Sequence, residues 1–214
     1  MEKQKIYIAL GSNLGDRLAN LQQAVNQIDK NIGRVLQCSS VYEVPAVGFS
    51  GAIFLNACLV AESDKSPNAI LEGLQSIENE MGRKQAADGL YHDRPIDLDL
   101  IMVDNEVLHS DKLTVPHPRL QERLFVLQPL SEIAPEKSVP NQNQTVAQLL
   151  KICDDPTKIS PFHEGLQRPA IHFLRQYNRI CVEGTIGCGK TSFAKRIAED
   201  LQAKLFLERF AENP

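Results

Sequence analysis

The chain has 214 residues, 43% of them hydrophobic, and carries 23 Lys and Arg against 27 Asp and Glu, for a formal net charge of −4. That length allows one or two domains with a real core, while the acidic balance argues against a general polyanion binder and leaves no nucleic-acid signature beyond scattered basic residues. Five cysteines with no C-x-x-C pair argue against a structural zinc site and fit reduced core thiols in a cytoplasmic protein; no run approaches 18 uninterrupted apolar residues, so neither a signal region nor a membrane contact is expected.

Ile6–Leu10 reads as a first strand, closed by the turn Gly11-Ser12-Asn13. A helix over about 15–31 follows, in which Leu14, Leu18, Leu21, Val25, Ile28 and Ile32 form one apolar stripe stopped by Gly33. Val35–Val44 is expected as a second strand ending at Pro45, and Phe54–Glu62 as a third, with Asn56 its only amide. Ser66-Pro67 opens a second helix whose inner face is Ile70, Leu74, Ile77 and Met81, ending near Gly82. A polar loop over 83–95 leads to a fourth strand.

In that strand, Ile96, Leu98 and Leu100 alternate with Asp97 and Asp99. The two carboxylates therefore share one face, with Cβ atoms about 7 Å apart. Like charges so close need a cation between them. Mg²⁺, which takes oxygen ligands from carboxylates and phosphates, is one candidate; an edge strand whose acids pair with Arg94 is the other. The order β-α-β-β-α-β implies an α+β fold, a ferredoxin-like antiparallel-rich sheet with helices on one face. Val115-Pro116-His117-Pro118 is expected to be rigid and extended, followed by a helix through Leu120, Leu124, Phe125 and Leu127 and a short one over 146–152.

Periodicity fades after Cys153, so residues 153–178 read as a linker between a domain at 1–152 and a segment at 179–214. Arg179–Glu183 reads as a buried strand. Gly184-Thr185-Ile186-Gly187-Cys188-Gly189-Lys190-Thr191 then fits G-x-x-x-x-G-K-[ST], with a helix over 191–202 and a strand at 205–207 behind it. In such a loop the backbone N–H groups around Gly184, Gly187 and Gly189 cradle phosphates, Lys190 reaches the β- and γ-phosphates, and the Thr191 hydroxyl helps hold Mg²⁺.

Several separate motifs resemble one family in order: Gly11-Ser12-Asn13-Leu14-Gly15-Asp16, Phe54-Leu55-Asn56-Ala57, Arg94 to Leu100, Leu113 to Arg123, and Phe125 to Leu130. Together they resemble the 6-hydroxymethyl-7,8-dihydropterin pyrophosphokinases over residues 5–152. The resemblance implies transfer of pyrophosphate from ATP to a pterin alcohol in folate biosynthesis, with AMP leaving and two Mg²⁺ ions held by Asp97 and Asp99. It places Arg83, Arg94, His117 and Arg123 around the triphosphate, Arg83 and Arg94 among the catalytic groups, and Pro45, Val47, Phe54, Asn56 and Phe125 around the pterin. The loop before the metal strand departs from the family's Arg-Trp-Gly-Pro-Arg-Thr, reading Leu90-Tyr91-His92-Asp93-Arg94-Pro95, and Lys84-Gln85 replaces a second arginine after Arg83. Glu183–Gly187 with Leu207-Glu208-Arg209 resembles the start of a deoxynucleoside kinase, so an incomplete P-loop βαβ segment without activity of its own is expected. Two other readings stay open: a noncatalytic nucleotide- or pterin-binding module, and an accessory domain of a parent nucleoside kinase. Oligomeric state is not legible.

Overall fold

Strand β1 (Gln4–Ser12) lies inside a sheet covered on both sides, which explains its nearly unbroken burial. The computed structural model describes residues 3–46, 51–83, 92–169, 177, 179–183, 189–201 and 204–206. The chain divides into two units, Met1–Arg168 and Pro169–Pro214.

In the first unit, α1 (Arg17–Asn31) starts at Asp16, whose carboxylate accepts the Ala19 N–H, and ends against Gly33. A Cβ at Gly33 would lie 2.5 Å from the Glu62 carbonyl, so only glycine lets this turn approach the neighbouring strand. β2 (Arg34–Cys38), β3 (Tyr42–Val44) and β4 (Phe54–Ser63) follow, then α2 (Pro67–Glu80), capped by Ser66 with proline at its start. β5 (Asp97–Val103) completes the β-α-β-β-α-β order. β4 pairs with β1, β1 with β5, and β2 and β3 both pair with β4, every ladder being antiparallel.

Two expectations need correction here. The single strand read over 35–44 is broken: Cys38 pairs with Leu59 but Tyr42 with Asn56, so one extra residue is accommodated as a bulge. Ser39 fills the break, its backbone N–H donating to the Cys58 carbonyl and its hydroxyl accepting the Cys58 N–H. Helices also cover both faces of the sheet, not one. Ile6, Ile8, Leu10, Leu59, Leu98 and Leu100 pack against α1 and α2. Tyr7, Cys58, Val60, Ile101 and Met102 pack on the opposite face against α3 (Leu124–Ile133) and α4 (Val146–Ile152).

Between β5 and α3 a short hairpin, β6 (Leu108–His109) with β7 (Thr114–Val115), leads to a 3₁₀ turn at Leu120–Glu122; β8 (Ser138–Val139) and β9 (Gln144–Thr145) pair ahead of α4. The stretch read as a linker begins inside this unit: β10 (Ser160–Pro161) pairs with β3 at the sheet edge, and Phe162 N–H donates to the Val41 carbonyl.

In the second unit α5 (Lys190–Leu201) forms near the expected bounds, and Gly189 has φ +84. Residues 179–183 form no strand, and neither do 204–206. A strand needs a ladder partner, and none is present among the described residues of this unit. Cys181, expected in a buried strand, is exposed, as are Phe193 and Phe206. Among the described residues no helix is long and apolar enough to cross a membrane.

Candidate active site

Asn56 of β4, Gly11 of β1 and Asp97 of β5 are direct cross-strand neighbours. Asp99, opposite Ala9, projects from the same face two residues along. Gly11 keeps this row open. A Cβ there would lie 2.8 Å from Asn56 Oδ1, 3.5 Å from Phe54 Cδ1 and 3.7 Å from Asp97 Cβ. The floor between amide and carboxylate is thus bare backbone.

Asn56 is only 8% exposed, yet its side-chain amide has no protein hydrogen-bond partner among the described residues. Its oxygen and nitrogen are not among the fully buried polar atoms that lack a partner, so the amide edge is open to solvent and can exchange hydrogen bonds with an incoming group. Beside it Tyr42, Val44 and Phe54 form a small buried cluster with Phe125 packed against it. The Tyr42 hydroxyl donates to Glu132, which also accepts the Ser40 N–H at 2.7 Å and so fixes this edge. Pro45 follows β3 and is exposed; Val47 lies outside the described residues.

The aspartates face three guanidiniums. Arg83 Nη1 donates to Asp97 Oδ1 at 2.6 Å, Arg94 Nη2 lies 2.8 Å from Asp97 Oδ2, and Arg123 Nη1 donates to Asp99 Oδ2 at 2.9 Å. Burial and the neighbouring Asp99 raise the pKa of Asp97, and the three arginines pull it back. Arg94 and Arg123 also lie over the Phe54 and Phe125 rings, 5.6 and 5.7 Å from the centroids. The cations facing the aspartates and the aromatic wall are therefore one assembly.

Arg123 Nε is a buried donor without a hydrogen-bond partner among the described residues. His117, half-buried, has a lowered pKa because of burial and then the Arg123 charge. Its Nδ1 accepts the Arg119 N–H at 3.2 Å, which leaves the ring proton of the neutral imidazole on Nε2. Both groups are donors suited to an anion.

Glu78 and Asn13 were not singled out from the sequence. Glu78, buried in α2, binds Arg83 and accepts the Leu98 N–H at 2.7 Å, locking that arginine to the strand between the two aspartates. Burial pushes its pKa up to about 7 against the opposing pull of Arg83. Its signal was present: an acid one residue after Ile77 falls on the inward stripe of α2. Asn13, 3% exposed, accepts the Arg94 N–H at 2.7 Å and so holds the chain entering β5.

No group of three or more His, Cys, Asp or Glu side chains is placed to hold a metal ion by itself among the described residues. Asp97 and Asp99 supply two oxygen ligands on one face, which fits Mg²⁺ when substrate phosphates and water complete its shell. A cavity of about 640 Å³ lies elsewhere, beside Gly15–Ala19, Leu55 and Phe162, and contains none of the expected site residues. Of the second-module residues, Gly189, Lys190 and Thr191 sit at the start of α5, while Gly184, Gly187 and Glu208 lie outside the described residues, as do Lys84, Gln85, Leu90 and Tyr91.

Residues 7–135 match the model of the 7,8-dihydro-6-hydroxymethylpterin-pyrophosphokinase (HPPK) family. The chain is 42% identical over 143 residues to a 2-amino-4-hydroxy-6-hydroxymethyldihydropteridine pyrophosphokinase of Porphyromonas gingivalis, covering 64% of this chain and 97% of that protein. Proteins of the same name match from Bacillus subtilis (43% over 129 residues; 59% and 76% covered) and Synechocystis (37% over 161 residues; 75% and 81% covered). Among solved structures, an HPPK-DHPS in complex with substrates aligns with TM-score 0.57 and 13% identity, over 70% of this chain and 43% of that one. That likeness carries the fold alone, and this chain spans under half of the solved one.

Proposed function

Since the chain belongs to the 7,8-dihydro-6-hydroxymethylpterin-pyrophosphokinase family, we propose that it transfers pyrophosphate from ATP to 6-hydroxymethyl-7,8-dihydropterin, releasing AMP, as a step of folate biosynthesis. The observation that carries this reading is the row Asn56–Gly11–Asp97, which brings an unpartnered amide and a carboxylate to one floor beneath three arginines. The pterin is flat, with a guanidine-like edge. Asn56 reads that edge while Phe54 and Phe125 flank the ring and Pro45 lies on the outer side.

The pterin hydroxyl attacks the β-phosphorus and the bond to the α-phosphate oxygen breaks. Charge develops between the two phosphates, so catalysis rests on alignment and neutralisation. Arg83, Arg94 and Arg123 offer forked donors to phosphate oxygens, and His117 offers Nε2–H. Asp97 and Asp99 would hold two Mg²⁺ ions, which would supply charge neutralisation at the phosphates. Glu78 keeps Arg83 at the carboxylates, and Asn13 fixes the backbone of Arg94.

The test is pterin-dependent AMP release with Mg²⁺ and ATP, run beside Asp97→Asn. The wild type should turn over, and the variant should lose at least about a thousandfold while keeping its circular dichroism spectrum. Turnover preserved in the variant removes the aspartate pair from the mechanism.

The Gly184–Thr191 pattern is read as the phosphate-binding start of a deoxynucleoside kinase module. The positive φ of Gly189 just before α5 supports it. With no sheet strand among the described residues of 169–214, no deoxynucleoside phosphorylation is expected from these 214 residues; an ATP-dependent nucleotide product would contradict this.

A further inference from the structure

Residues 153–162 lie beyond the 7–135 stretch matched by the family model, yet they bear on two of the site residues named above. Arg123 is the N-cap of α3 and makes no side-chain capping bond of its own, because its guanidinium is committed to Asp99 and the Phe125 ring. The first N–H of the helix, from Leu124, donates instead to Asp155 Oδ2 at 2.9 Å. Asp155 is itself held by Thr157, whose N–H donates to Asp155 Oδ1 at 2.9 Å and whose hydroxyl donates to the same oxygen. Two residues on, Ile159 packs against the Tyr42–Val44–Phe54 cluster that Phe125 also joins. Ser160–Pro161 then pairs with β3, directly opposite Glu43 and Tyr42.

We propose that this strap is part of the substrate-binding apparatus: Asp155 positions Arg123 and Phe125 by capping α3 from outside, and Ile159 backs the aromatic wall on which the pterin stacks. Neither residue touches a ligand. Each acts through a side chain that does. The helix start between Arg123 and Phe125 is where the phosphate side and the pterin side of the site meet, so loss of the external cap loosens both. Loss of Ile159 loosens the pterin side alone. This rests on the pyrophosphokinase reading.

The experiment is equilibrium binding to the full chain, using fluorescent 6-hydroxymethylpterin in the presence of Mg²⁺ and α,β-methylene-ATP, with the nucleotide analogue titrated separately. Ile159→Ala should weaken pterin binding roughly tenfold and leave nucleotide binding within about twofold. Asp155→Ala should weaken both, whereas Asp155→Asn, which retains an acceptor for the Leu124 N–H, should recover part of the loss. Thr157→Val, which leaves the cap residue in place but removes one of its tethers, should fall between wild type and Asp155→Ala. Thermal melts identify any variant that fails to fold, and the remaining variants decide. Wild-type affinities in Ile159→Ala and Asp155→Ala, or equal losses of both ligands in Ile159→Ala, overturn the proposal. A wild-type chain that binds neither ligand overturns the pyrophosphokinase reading as well, which separates the two failures.

Discussion

Replacing Gly11 by alanine puts a methyl group into the gap between Asn56 and Asp97. The new carbon would lie 2.8 Å from Asn56 Oδ1, closer than unstrained carbon and oxygen approach, but within ordinary contact of Phe54 and Asp97. Because the clashing atom is the end of a side chain, the amide can rotate away. The fold therefore suffers little: alanine in a strand interior gains about 0.5–1 kcal/mol over glycine through lower unfolded-state entropy, which offsets the adjustment. The loss falls on recognition. An Asn56 amide turned from its row no longer meets the pterin edge, and one misplaced hydrogen bond is unfavourable by about 1–3 kcal/mol, or roughly 5- to 150-fold in affinity. Pterin titration should show that loss in Gly11→Ala with nucleotide affinity within about twofold and a nearly unchanged melting temperature. Asn56→Ala should give a similar pattern. Unchanged pterin affinity in Gly11→Ala, or equal weakening of both ligands, would refute the argument from the open row.

Glu78 gives a pH dependence of known sign. Its pKa is raised from 4.5 to about 7, chiefly by burial, so folding takes up a proton in that window. Its contribution to stability is full below 4.5 and is lost as pH rises through about 7. Melting temperatures of the wild type minus those of Glu78→Gln should therefore fall by a few degrees between pH 5 and pH 8, and a flat difference would contradict the burial argument. The same variant should slow AMP release at pH 8 through looser placement of Arg83, by about tenfold, the lower end of the scale for one hydrogen bond to a charge. Thiol chemistry offers a further check: Cys181 is exposed and should react readily with a disulfide reagent at pH 8, whereas Cys58, fully buried with its thiol pKa pushed well up, should react only on unfolding. Rapid modification of Cys58 in the native protein would contradict the packing of α3 on the sheet.

The element order was legible because it is encoded locally. The apolar run of β1, the alternation in β5, the three- and four-residue steps of α1 and α2, and the Ser66-Pro67 helix start need no tertiary partner to be recognised. The shared face of Asp97 and Asp99 follows from strand periodicity alone. What was missed depends on long-range pairing. The bulge in residues 38–42 exists because Ser39 exchanges hydrogen bonds with Cys58, 19 residues away. A two-residue Ser-Pro strand has no period to read. The second helical layer did leave a trace, since β4 is buried on both faces along nearly its whole length, the pattern of a central strand rather than a half-exposed one. In the second unit the reading of Arg179–Glu183 as a strand came from apolar residues alone, and composition cannot supply a ladder partner.

The two meanings left open for the paired aspartates, a cation site or an ion-paired edge strand, are not rivals in this architecture. β5 is an edge strand of the sheet, and its acids do pair with Arg94 and with two further arginines. Two carboxylates this close, both partly exposed, repel each other, and the guanidiniums supply the opposing positive charge. Those guanidiniums are also the forked, oxygen-seeking groups best suited to a triphosphate. Above about pH 7, where Glu78 is ionised, Glu78, Asp97 and Asp99 balance Arg83, Arg94 and Arg123 one for one, so the cluster is near neutral there. A fully ionised triphosphate brought in with two divalent cations adds almost no net charge. On the proposed function, Arg83, Arg94 and Arg123 would be the groups to meet phosphate oxygens and Asp97 and Asp99 those to hold the metal ions, so neither set would be left uncompensated. On this reading the ion pairs hold both partners in place, and Glu78 tethers Arg83.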